Sequence, residues 1–151
     1  MDFAIWLLKN LLLLPVGFVV GLFLPHVQKP LAEYRETLTD ISKLMLRSVS
    51  VMHSDPPSIQ SSETEIYAAE SRKFYDDVRT LHGRLVSSTD SIPRFARPVL
   101  QLLGLLRTRD QIKLGAQMLI GISNQVISAD KDKPYLTTLI KRLGAALDIT
   151  V

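Results

Sequence analysis

Hydrophobic and polar positions divide the chain into two unequal regimes. From Phe3 to Leu24, 17 of 22 residues are apolar and Lys9 is the one charge. A helix of that length extends about 33 Å, enough to cross a hydrocarbon core of about 30 Å. The uninterrupted run Leu11 to Leu24 covers only about 21 Å, so Lys9 and Asn10 have to be accommodated within the span. The Lys9 stem lets its ammonium snorkel back to the headgroups, and Trp6 is placed as an interfacial anchor. Asn10 lacks that reach and favours a partner helix. A cleaved signal peptide fits less well, because Phe3 to Leu8 is apolar rather than basic and Pro25 to Pro30 offers no small-x-small cleavage pattern. The length also disfavours a buried core helix.

Beyond the span the pattern becomes amphipathic. Pro25 predicts the end of the anchor, and Pro30 suits the first turn of a new helix. There Leu31, Tyr34, Leu38, Ile41, Met45, Ser48 and Met52 step alternately by three and four, a coiled-coil-like seam of about three heptads. Such a seam serves one helix of a bundle or a homomeric coiled coil. Residues 54–61 have the composition of a loop, and Ser62-Glu63-Thr64-Glu65 matches a capping box. The helix it opens carries Tyr67, Ser71, Phe74, Val78, Leu81 and Leu85 on one face, with mixed charges on the other. Ser87 to Ser91 reads as a second break.

Ile92, Phe95, Val99, Leu102 or Leu103, and Leu106 keep a helical period, with a kink expected at Pro98. Thr108-Arg109-Asp110-Gln111 is another capping box. It opens a helix with Ile112, Ala116, Leu119, Ser123 and Val126 on one side. Gly115, Ala116, Gly121 and Ser123 keep that helix slim, while Ile120 and Ile122 broaden its apolar surface, so it should lie centrally. Asn124 is expected as a buried or helix-end amide with its bonds satisfied. After a polar turn at residues 129–133, Pro134 starts a last helix that buries Tyr135, Leu136, Leu139, Ile140, Leu143 and Leu147. No run alternates long enough to predict a strand.

The expected fold is therefore all-α, an N-terminal transmembrane helix followed by a four- to five-helix bundle-like domain. The divisions are residues 1–25 as anchor, 26–54 as juxtamembrane helix, 55–61 as loop and 62–151 as helical domain.

Composition adds boundaries rather than an activity. The chain has 151 residues, 46% of them hydrophobic and 22% charged, with no cysteine and a formal net charge of +3. This excludes a disordered chain and a disulfide-stapled module. The lack of cysteine fits a reducing compartment without demanding one. Lys29, Arg35 and Lys43 follow the span closely, so the positive-inside rule predicts a cytoplasmic main domain.

The chain carries few residues in patterns that support chemistry. His26, His53 and His82 form no His-x-x-x-His or Glu-x-x-His pair, so a metal site lacks its usual helical signature. Phosphate-loop and dinucleotide patterns are absent. No catalytic residue, cofactor or metal is predicted, and the chain is expected not to be an enzyme. Two features point to partners instead. Gly17 and Gly21, with Asn10 on the same face as Gly17, form a small-residue face suited to helix association in the bilayer. Arg94, Arg97, Arg107, Arg109 and Lys113, opposed in that window only by Asp110, form a basic cluster for anionic headgroups or an acidic partner. Nucleic acid is disfavoured, since no aromatic platform accompanies the arginines. The expected function is a single-pass, membrane-anchored helical interaction or assembly protein, a homo-oligomer or a subunit of a membrane-associated complex. The alternative is an effector that perturbs the membrane by oligomerising in it.

Overall fold

The first helix runs unbroken through three prolines. In the computed structural model α1 spans Asp2–Arg47 and contains Pro15, Pro25 and Pro30. The break expected at Pro25 is therefore not a break in the backbone, and the division at residue 25 falls inside one helix. An interior proline removes one hydrogen-bond donor and crowds the carbonyl four residues back, costing about 3 kcal/mol. The neighbouring rungs survive, so helix can continue on both sides. From Tyr34 onward α1 is also held by burial: Tyr34, Ile41 and Met45 are within 1% of complete burial.

The structure describes the backbone of residues 2–48, 51–52, 62–128 and 132–151, and the side chains of 25–48, 51–52, 64–128 and 132–151. Among these residues every regular element is helical. They form a helical bundle: α1, α2 (Ser62–Ser91), α3 (Arg97–Leu102), α4 (Arg109–Ile127) and α5 (Lys133–Leu147). Among the described residues no helix is long and apolar enough to cross a membrane. The expected span at 3–24, with Lys9, Asn10, Gly17 and Gly21, lies outside the described side chains. The loop at 55–61, His53 and the turn at 129–131 likewise lie outside the described residues, and so do the side chains of the expected cap at Ser62 and Glu63.

The long helices pack in sequence, α1 on α2, α2 on α4 and α4 on α5. Their buried faces follow the apolar stripes. Tyr34, Ile41, Met45 and Met52 from the first seam meet Phe74, Val78, Leu81 and Leu85 of α2. Leu119, Ile122 and Val126 of α4 join Leu136, Leu139 and Leu143 of α5 in the same core. α4 contacts helices on two sides, the central place its wide apolar surface predicts. Its glycines explain how: a β-carbon on Gly121 would stand 3.2 Å from Leu139 Cδ1.

Two local expectations fail for identifiable reasons. Ser87 to Ser91 is not a break but the last turn of α2. The hydroxyls of Ser88 and Thr89 donate to Leu85 O, at 3.2 and 2.7 Å, and Ser91 donates to Ser87 O at 2.8 Å. Residues that compete with helix elsewhere here bond back onto their own helix. The run from Ile92 to Leu106 is not one kinked helix either. It holds a turn, the six-residue α3 and a second turn at Gly104, whose φ of +67° suits glycine. Its core positions are Ile92, Ala96, Leu100 and Leu106, while Phe95, Val99, Leu102 and Leu103 are exposed.

The helix ends carry their own signals. Thr108 and Gln111 form the predicted reciprocal cap of α4. Asp132 caps α5, accepting from Tyr135 N–H at 2.9 Å, with Pro134 in the first turn. After Asp148, in the left-handed region, the chain turns back onto α1, where Ser42 Oγ donates to Thr150 O. Tyr135 is half exposed rather than buried.

Candidate functional site

The five basic residues singled out in the sequence occupy one end of the bundle, but they do different things. Arg97 belongs to the fold. Its Nε donates to Ile92 O at 3.1 Å, and its Nη2 donates to Thr89 O at 3.1 Å and to Asp90 O at 3.4 Å. The Asp90 carboxylate lies 3.9 Å away. A guanidinium on the last carbonyls of a helix satisfies acceptors that the helix cannot, and it opposes the negative end of the helix dipole. Arg97 thus closes α2, which ends without a glycine. Arg107 is also engaged, in an ion pair with Asp148 at the end of α5.

Arg94, Arg109 and Lys113 remain as exposed cations with no ion pair among the described residues. Arg109 and Lys113 stand on the first turns of α4, beside the last turns of α2. Between those helices runs an open groove of about 440 Å³. Val86, Ile112, Ala116 and Ile120 give it an apolar lining, and His82, Asp90, Arg109 and Lys113 supply its polar groups. Sequence reasoning did not connect His82 to this cluster, because only the antiparallel pairing of α2 with α4 sets residue 82 near residue 117.

Tyr34 lies in the core close to Arg107. Burial raises its pKa, and the backbone amide and charge of Arg107 oppose that rise. The hydroxyl is nonetheless without a hydrogen-bond partner at bonding geometry, as is that of Ser71. Asn124, expected as a buried or helix-end amide with its bonds satisfied, is not buried: it is exposed near the end of α4 and accepts from Arg79 Nη2 at 3.2 Å. Arg79 also sits over the Tyr75 ring, 5.0 Å from its centre.

Among the described residues no three His, Asp or Glu side chains converge where they could hold a metal ion. The arrangement offers exposed cations beside a groove with an apolar lining, together with the exposed apolar residues Phe95, Val99, Leu102 and Leu103. No family model, curated protein or solved structure matches this chain.

Proposed function

We propose that the chain is a single-pass membrane protein whose helical domain, on the cytoplasmic side, serves assembly or interaction rather than catalysis. The observation that carries this is the continuity of α1. One helix holds the apolar segment 3–24 at one end and the buried seam of Tyr34, Ile41 and Met45 at the other. A helix shared in this way transmits tilt, rotation or pairing of its membrane half directly to the bundle. Asn10, Gly17 and Gly21 would supply the pairing face, since small residues let two backbones approach closely. The exposed cations suit anionic headgroups on the side favoured by the positive-inside rule.

The test uses the full chain expressed in cells. It should stay in the membrane pellet after an alkaline carbonate wash, and it should elute from detergent larger than one 16.9 kDa chain. Gly17→Leu with Gly21→Leu should reduce that size. Release into the carbonate supernatant would overturn the anchor. A lone monomer without co-purifying chains would overturn the assembly.

A further inference from the structure

α3 and its flanking turns, residues 92–108, sit at a defined end of the bundle. α2 runs antiparallel to α1: Arg84 pairs with Asp40 at 2.8 Å, while Asp90 shares a groove with Arg109, two residues past the Arg107 that lies beside Tyr34. The end of α2 at Ser91, two turns further on, is thus about level with Leu31 of α1. α4 runs back along α2, with Asp90 and Arg109 lining the same groove. The connection between them therefore covers the end of the bundle from which α1 continues toward Leu24. Leu31 to Leu24 is about 10 Å of helix, close to the 10–12 Å diameter of a helix with its side chains. A short helix in that connection is thus about as thick as the stretch of α1 between the bundle and the apolar segment is long.

α3 is built in the opposite sense to a core helix. Leu100 and Ala96 are buried, whereas Val99, Leu102 and Leu103 are 57%, 88% and 62% exposed. Positions 99, 102 and 103 share one helical face, and Phe95, itself 59% exposed, extends it. Arg94 and Arg109, which bracket this segment in the chain, are both exposed. Apolar residues backed by arginines match the boundary between headgroups and acyl chains, where apolar faces enter and cations meet anionic lipid.

We propose that α3 seats the bundle on the bilayer, with Val99, Leu102 and Leu103 in the headgroup–acyl boundary and Arg94 and Arg109 against anionic headgroups. The proposal rests on the reading that residues 3–24 cross the membrane. Six residues are too few to bind a membrane alone, but the anchor holds them at high effective concentration beside it. The contact would fix the orientation of the bundle on the bilayer, leaving the groove between α2 and α4 open at the side.

The chain has no cysteine, so single probes can be placed cleanly. The full chain carrying Leu102→Cys or Ser128→Cys, labelled with an environment-sensitive fluorophore, is reconstituted into vesicles containing anionic lipid and recovered by flotation. Ser128 lies at the far end of α4. Brominated lipid should quench the probe at 102 at least about twofold more than the probe at 128, and aqueous iodide should show the reverse order. Adding Val99→Glu and Leu103→Glu should return the probe at 102 to water. Equal iodide access at both positions in floated protein overturns the seating and leaves the anchor standing. Protection of position 102 from both quenchers also overturns it, since protein rather than lipid then covers α3. Failure of the unlabelled chain to float overturns the anchor itself, and the seating with it.

Discussion

Gly115 on α4 faces Leu147 on α5 so closely that a β-carbon on the glycine would stand 2.5 Å from Leu147 Cδ2. Leu147 is itself 1% exposed, so it can give way only by repacking against its buried neighbours. The glycine is thus a packing requirement, and it fixes how near α5 can approach the central helix. Gly115→Val should cost about 1–3 kcal/mol by overpacking, seen as a lower midpoint in thermal or urea unfolding. Gly83 makes the contrast, because a β-carbon there meets nothing within 4 Å. Gly83→Ala should stabilise α2 by roughly 0.5–1 kcal/mol through helix propensity.

The two faces of α3 should respond oppositely to substitution. Leu100→Ala removes a buried side chain and should cost about 2–5 kcal/mol. Leu102→Glu alters a residue 88% exposed, and stability in detergent should stay within about 0.5 kcal/mol. Equal losses at both positions would mean that Leu102 is buried in the folded protein and that α3 has no exposed apolar face.

Tyr34 should make stability sensitive to alkaline pH. Its pKa is raised in the folded state, chiefly by burial, so between about pH 10 and the folded value the unfolded chain holds fewer protons. Stability is fully present below the unfolded pKa and is lost as pH rises toward the folded one. Tyr34→Phe should flatten that alkaline limb relative to the parent. It should also cost less than about 1 kcal/mol at neutral pH, because it removes a buried hydroxyl that has no partner.

Thr108→Ala removes the hydroxyl that accepts from Gln111 N–H at 3.3 Å. Loss of this cap should cost about 1 kcal/mol. Asp40→Asn, at the half-exposed pair with Arg84, should cost under about 1 kcal/mol and less in high salt. Urea unfolding at low and high salt separates the two, since only the ion pair is screened.

Helical periodicity alone placed the buried faces. Tyr34, Ile41, Met45, Ser48 and Met52, then Ser71, Phe74, Val78, Leu81 and Leu85, then Ile112, Ala116, Leu119, Ser123 and Val126 are all buried where the helical steps put them. Periodicity works there because a helix long enough to bury one stripe leaves little choice of which side faces the core. Local sequence likewise set the cap at Thr108 and the first-turn proline of α5, which depend on a few neighbouring residues. Between residues 87 and 108 the outcome depends on packing. Hydroxyls of Ser88, Thr89 and Ser91 extend α2, and Arg97 reaches back to close it. Ala96 and Leu100 then take the core positions that spacing gives to Phe95, Val99 and Leu102. In that short segment one turn of helix can face either way, and the entry of Ala96 and Leu100 into the common core chooses the face. The basic cluster was legible for the same reason as a composition, and illegible as a site. Which arginine closes a helix, which pairs with Asp148 and which stays exposed depends on partners distant in the chain.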